Sequence, residues 1–408
     1  MYLPRARRAA LATAATALLL AGCASGAGSG SGGSPAGPIT LGTTLPLTGP
    51  LASFGPVLQA GYQKAIDDVN AAGGLPVGGG KHKLVLKVLD NASNPNNATQ
   101  QARELIQNDG ASALLGSFSP DLNNPVSTVA QQLHVPVIMT VTPIQAWRAG
   151  NPGGWTYAWD VFDYEPSTTS LFFKAATALA PSNDRKVAIF ADTENDGILW
   201  ARLWKAEAAQ YGYTIAYSAS FPPGTSDFSQ YVQQAKASGA QVLLAQMLPP
   251  DGIALWKQIH AFGWKPTVAA CNKCSASALF PKDLGALAEG TLNFGWWTPD
   301  DIFPGTQRLV SYWEPSTGNN ISLEMKVTAY AITGIMTHAI SAAGSTNSSA
   351  INTALGKTSL DTVIGHVAFT GQAFRTTDYM LQWQGDSQVR IYPTTVKHVP
   401  YVMPGLDK

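Results

Sequence analysis

Short runs that are apolar on both faces alternate with amphipathic helical segments along most of the chain, in two successive series. A strand of that kind cannot lie in a sheet with one wet face; it needs a parallel sheet covered by helices on both sides. In the first series Ile39–Leu45 reads as a strand and a Pro- and Gly-containing loop follows. Leu58, Tyr62, Ala65, Ile66 and Val69 then share one helical face. Lys83–Asp90 is the next strand, Asn96 or Asn97 caps a helix carrying Ala98, Ala102, Leu105 and Ile106, and Ala113–Leu115 is a short strand. Asn124 and Pro125 start another helix, and Val137–Thr140 is a strand. After the Gly- and Pro-rich break at Gly150–Gly154 the second series places strands at Lys186–Ala191, Tyr213–Ser220, Val242–Leu244 and Val268–Ala270, with helices between them. The expected fold is therefore α/β, with two doubly wound parallel-sheet lobes. Sheets of this type bind ligands at the carboxyl ends of their strands, so two facing lobes would share a cleft.

The first 38 residues follow different rules. Arg5, Arg7 and Arg8 precede an apolar core, Ala9–Leu20, that ends in Leu20-Ala21-Gly22-Cys23. A positive region, a short apolar core and a small-residue cleavage box are the marks of an export signal of the lipoprotein type. Residues 1–22 are expected to be removed, leaving Cys23 to carry lipid and to hold the protein on the extracytoplasmic face of the cell membrane. An ordinary signal peptide with an incidental cysteine is the alternative. The core is too short to span a membrane, which takes roughly 20 apolar residues. Residues 23–38, almost wholly Gly, Ser, Ala and Pro, read as a flexible tether. The later apolar segment Val327–Ala343 is interrupted by threonines, Tyr330 and His338, and reads as a buried helix.

Composition narrows the chemistry. With 45% hydrophobic and 13% charged residues and a net charge of zero, the chain offers no electrostatic basis for a nucleic-acid partner. The six histidines are scattered and none has a second ligand at metal-binding spacing, so no metal is expected. Gly73–Lys81 fails as a phosphate loop, because the first glycine is out of step and His82 replaces the hydroxyl residue. No G-x-S-x-G elbow is present. No catalytic residues, no cofactor and no enzyme activity are expected. Once Cys23 is set aside, Cys271 and Cys274 remain. An exported location favours a disulfide between them; free thiols or a redox or metal role are the alternatives.

Two loop features suggest binding. Gly116–Asp121 follows the third strand and leads toward a helix start, where free N–H groups could hold an anion; a plain capped helix start is the equal alternative. Phe54, Trp147, Trp155, Trp296 and Trp297 cluster around loops, as packing between lobes or as ligand contacts.

Ile39–Leu47, then Thr48-Gly49-Pro50-Leu51-Ala52-Ser53-Phe54-Gly55, Gly61, Asn70-Ala71-Ala72-Gly73-Gly74, and Asp90 ahead of Asn94-Pro95, resemble the amino-terminal signature of the type I periplasmic binding proteins. The most similar are the leucine/isoleucine/valine-binding lipoproteins of ABC importers. The resemblance is dense over residues 39–116 and thinner beyond. It implies two lobes joined by three crossovers, lobe I over about 39–160 plus 293–375 and lobe II over about 161–292 plus 376–408. It also implies a monomer that closes on a small ligand and is recognised by an ABC permease working with ATPase subunits.

The resemblance places several ligand-binding residues. Phe54 matches the aromatic residue that lines the side-chain pocket. Pro120 falls where a serine meets the α-carboxylate, with Ser119 one step earlier. The loop after the fourth strand carries Thr142-Pro143-Ile144-Gln145-Ala146, so Thr142 and Gln145 enter the expected site. Asp196 and Met247 stand where two lobe II tyrosines are usual, and Asn272 stands near the acidic residue that meets the α-ammonium. Trp296 completes the expected set. An α-amino acid needs both its charges matched, because burying either alone costs several kcal/mol. The departures therefore widen the expected ligand from a branched-chain amino acid to a different small polar or aromatic metabolite, urea- or amide-like, or an organic acid. A sensory ligand-binding protein of the same fold, without a transport role, is the alternative function.

Overall fold

The computed structural model describes residues 37–317, 322–393 and 399–407. The expectations for the export signal, Cys23 and the tether up to residue 36 fall outside the described residues, as does His398. The strands in chain order are β1 (Ile39–Leu45), the hairpin β2 (Leu75–Val77) and β3 (Gly80–His82), β4 (Leu84–Asp90), β5 (Ala113–Leu115), β6 (Val137–Thr140) and β7 (Ala158–Phe162). Next come β8 (Lys186–Asp192), β9 (Thr214–Phe221), β10 (Val242–Gln246), β11 (Val268–Cys271) and β12 (Leu292–Gly295). The hairpin β13 (Ser359–Thr362) and β14 (Gly365–Ala368), then β15 (Ala373–Arg375), β16 (Tyr379–Gln384) and β17 (Ser387–Tyr392) complete the series.

Two sheets carry the fold. The first runs β15-β7-β6-β5-β1-β4 with every neighbour parallel. The second runs β17-β16-β12-β11-β10-β8-β9, parallel except where β16 meets β12 and β17. The chain passes from the first sheet to the second after β7, returns before β15, and crosses again between β15 and β16. These are the three crossovers of a two-lobed α/β fold. Burial explains why the strands are continuous apolar runs: Val187 and Ile189 of β8 join one core cluster while Ala188 and Phe190 join the other.

Two helix starts differ from the sequence expectation. Asn94, not Asn96 or Asn97, caps the helix Pro95–Gln107, its side chain accepting from the N–H groups of both. Pro95 at the first helical position needs no N–H partner and moves the cap one residue before it. The next helix begins at Ser119 and runs to Leu133 with Pro125 inside it, because Asn123 is drawn inward as a fixed bridge. Its Oδ1 accepts from the Ser117 N–H at 2.6 Å, and its Nδ2 donates to the carbonyl of Thr140 and to the Thr142 hydroxyl. Val327–Ala343 lies within one helix, Leu323–Ala343, buried along most of its length. Among the described residues no helix is long and apolar enough to cross a membrane.

The helix Gly55–Ala71 packs against Leu323–Ala343, and Gly61 sets their separation. A Cβ at Gly61 would stand 2.3 Å from the Lys326 carbonyl oxygen and 2.5 Å from the Ala329 Cβ. Alanine normally stabilises an exposed helix interior by about 1 kcal/mol relative to glycine. Here that gain is overridden by overpacking. Gly61→Ala is expected to destabilise the protein by about 1–3 kcal/mol, read as a lowered urea midpoint; a raised midpoint would show that these helices do not meet at Gly61.

Candidate functional site

Strands of one parallel sheet all end on the same edge, so the loops beyond them converge. Phe118 and Ser119 follow β5, Val141 and Pro143 follow β6, and Phe162 ends β7; these five form one wall of an open-sided cavity. From the second sheet come Gln246 at the end of β10, Asn272, Lys273 and Ala276 after β11, and Asn293 within β12. Asp196 joins them from the first turn of the helix Asn195–Glu207 that follows β8. Phe294, Trp296 and Met325 close the wall.

Most of the lining is apolar, and the rings are held in place by bonds made behind the wall. The Trp296 indole N–H donates to the Thr328 hydroxyl at 2.8 Å, so this ring presents carbon to the cavity. Phe118 is backed by Phe54, stacked on it with centroids 4.0 Å apart and planes within 6°. Two residues of the first wall have positive φ: Ser119 at 63° and Val141 at 53°. For a β-branched residue this is a true outlier, and such strain gathers where the surroundings over-determine a functional geometry. The Ser119 N–H donates to the Val141 carbonyl at 3.1 Å and locks the pair together.

Charge on the second wall is balanced internally. The Lys273 ammonium, 5% exposed, pairs with Glu194 and, at 2.9 Å, with Asp196 Oδ2. Asp196 also accepts from the Gln246 side chain at 2.9 Å and from the Gly197 N–H at 2.9 Å. Burial alone would lower the Lys273 pKa, but the carboxylates of Asp196 and Glu194 outweigh it and hold it well above its ordinary value. Asp121, Glu194 and Asp196 bring carboxylate oxygens within 4.8 Å of one another. The lysine already supplies the cation for two of them. Burial pushes the Asp192 carboxyl up to about 8, and burial together with the Asp196 charge pushes Asp121 up to about 6. Asn195 donates to Asp121 at 2.6 Å, joining the helix after β5 to the helix after β8.

The residues expected from sequence are distributed as follows. Ser119, Asp196, Asn272 and Trp296 line the cavity. Phe54 lies one layer behind it, fully buried. Pro120 is buried in the first turn of its helix, and Thr142 is buried against Asn123 while its neighbours Val141 and Pro143 face the cavity. Gln145 borders a separate groove with Asn124, Asn195 and Arg202; its backbone N–H donates to Glu165 at 2.7 Å. Met247 is buried in the second core cluster. Cys271 and Cys274 lie side by side beneath Gly252, with Cα atoms 5.7 Å apart. Trp147, Trp155 and Trp297 serve packing: the Trp155 indole donates to the Trp147 carbonyl and that of Trp297 to the Val363 carbonyl.

Lys273, Gln246, Asn293, Val141, Phe162, Phe294 and Met325 were not anticipated. Position carried the missing signal, since Phe162 and Gln246 end parallel strands and Lys273 and Val141 lie just past them. Lys273 lies between Cys271 and Cys274, whose C-x-x-C spacing is the stronger local signal.

The profile of the family described as periplasmic binding protein matches residues 38–388. The chain is 29% identical over 254 residues to the Leu/Ile/Val-binding protein homolog 3 of Brucella melitensis, covering 62% of this chain and 66% of that protein. It is 26% identical over 352 residues to the Leu/Ile/Val-binding protein BraC3 of Rhizobium johnstonii, covering 85% and 92%. In three dimensions it is similar to a leucine-binding protein from Thermotoga maritima, with a TM-score of 0.76 at 18% identity over 86% of this chain and 97% of that one.

The buried acids give stability a definite dependence on pH. Besides Asp121 and Asp192, burial raises Glu165 to about 7 and Glu324 to about 8. Each keeps its proton in the folded state over a range where the unfolded chain has lost it. The native protein then binds more protons, so stability falls as pH rises from about 4 through these values. The thermal midpoint is expected to be several degrees lower at pH 8 than at pH 5; an equal or higher midpoint at pH 8 would contradict the burial of these carboxyls.

Proposed function

The chain belongs to the periplasmic binding protein family, in its type I, leucine/isoleucine/valine-binding kind, and on that premise we propose that it is the extracytoplasmic solute-binding lipoprotein of an ABC importer. It is a binding protein and not an enzyme. In this proposal about residues 39–160 with 293–375 and about residues 161–292 with 376–408, the limits taken just past β7 and β12 so that each strand stays whole in its own sheet, act as two lobes that close on one small ligand, an amino acid or a related polar or aromatic metabolite. One observation carries the proposal: a single cavity takes its lining from the carboxyl ends of both sheets.

A ligand touching both walls at once stabilises the arrangement in which they face each other, and so shifts an existing equilibrium toward closure. The partner permease then receives the ligand from the closed form. Among the sequence-expected residues, Ser119, Asp196, Asn272 and Trp296 are the ligand contacts in this reading. Phe54 acts through Phe118. Cys271 and Cys274 form a disulfide that fixes the loop presenting Asn272 and Lys273, and Cys23 carries the lipid that keeps a monomer beside its permease.

Ala276 lines the cavity and is nearly buried, so Ala276→Trp fills the space from the second wall. Wild-type protein incubated with a mixture of small metabolites, washed and then denatured, is expected to release a retained compound detectable by mass spectrometry. The Ala276→Trp variant should release none; equal retention by both proteins would place the ligand elsewhere. Cys23→Ser is expected to move the protein from the membrane fraction to the soluble extracytoplasmic fraction, and continued membrane association would rule out lipid anchoring.

A further inference from the structure

Two side chains on the cavity wall have hydrogen-bonding capacity that nothing satisfies. The Ser119 hydroxyl and both the Nδ2 and Oδ1 of Asn293 are buried without a partner, and the two residues are 2% and 1% exposed. A buried amide left unbonded on both sides is costly, so its persistence on a cavity wall points to a partner that arrives from outside.

The charged groups on the same wall are already engaged. Asp196 accepts from Lys273, Gln246 and the Gly197 N–H, and Lys273 is shared between Asp196 and Glu194. The helix start at Ser119 is also occupied, because Pro120 has no N–H and the helix carries its own carboxylate, Asp121, in the first turn. Asp121 has one unbonded oxygen, but it stands outside the cavity lining. An α-carboxylate entering here would meet no free cation and an α-ammonium no free carboxylate on the wall. Burying either charge unpaired is strongly unfavourable.

Resting on the reading of this cavity as the ligand site, we propose that the ligand is uncharged, with a flat apolar body held among Phe118, Phe162, Phe294 and Trp296 and one edge that both donates and accepts a hydrogen bond at Asn293. A primary amide or urea group has that edge. Its carbonyl accepts from the Asn293 Nδ2–H and its N–H donates to the Asn293 Oδ1, while Ser119 is free to serve a second polar atom.

Benzamide, benzoate and L-leucine separate the possibilities, since the first two share a ring and differ in the group offered to Asn293. In calorimetric titrations of the purified full chain, benzamide is expected to bind at least tenfold more tightly than either benzoate or L-leucine. Asn293→Leu keeps a similar volume and should weaken benzamide at least tenfold. The same substitution removes an unbonded buried amide, so it should leave the thermal midpoint equal or higher; a lowered midpoint would show that Asn293 is bonded within the fold.

Benzoate or L-leucine binding as tightly as benzamide overturns the proposal, and so does the absence of binding by all three. Ala276→Trp tells apart the two ways of failing. If L-leucine or benzoate is preferred and Ala276→Trp abolishes its binding, the cavity is the ligand site and the uncharged ligand is wrong. If the bound probe is indifferent to Ala276→Trp, the cavity itself is not the site.

Discussion

A parallel strand that is apolar on both faces must be covered on both faces, and most of this architecture follows from that requirement. Each strand of the first sheet has to return to the starting edge through a covering segment before the next can pair in parallel. All its strand ends therefore leave on one side. The second sheet obeys the same rule over β8 to β12, and the three crossovers bring the two sets of strand ends to one cavity. The position of the site is a by-product of burying Val, Ile and Leu. Its chemistry is independent of that burial, because the residues just beyond each strand end are released from the core pattern.

Lys273 shows how much that freedom allows. An ammonium at 5% exposure would be severely destabilising alone, yet placed between Glu194 and Asp196 it holds the loop after β11 to the segment after β8. The Gln246 side chain extends the arrangement to β10, donating to Asp196 through Nε2 and accepting from the Lys273 N–H through Oε1. The wall is polar without presenting an unpaired charge. Asn293, whose amide is left out of this network, then becomes the most specific polar feature a ligand can meet.

The fold was legible because β8 and β10 are nearly uninterrupted apolar runs and five of the seven residues of β4 are Leu or Val. The antiparallel strands β16 and β17 were not, since Tyr379–Gln384 and Ser387–Tyr392 mix glutamine and serine with apolar residues and show no sustained parallel-strand run. Ser119, Asp196, Asn272 and Trp296 could be reached from sequence because they ride on loops just past strands. Asn293 could not, because a single asparagine inside a short strand gives no sign of whether its amide is bonded. Phe54 illustrates a different limit: its ring supports the cavity only through Phe118, and a stacked pair 64 residues apart leaves no local pattern.

The two walls differ in how they are fixed, and this bears on how the cavity can close. On the first wall Ser119 and Val141 stay in sparsely populated backbone conformations that cost of order 1–3 kcal/mol each. They remain there because the Ser119 N–H bonds the Val141 carbonyl and Asn123 ties together Ser117, Thr140 and Thr142. A wall over-determined in this way is stiff, and relaxing it during each binding cycle would break several buried hydrogen bonds at once. The Asn195–Asp121 contact that joins the two walls is a single hydrogen bond from the exposed Asn195 side chain to a partly buried carboxyl. The closure we propose is therefore a movement of one intact wall relative to the other about the crossovers, with the strained loops carried along unchanged.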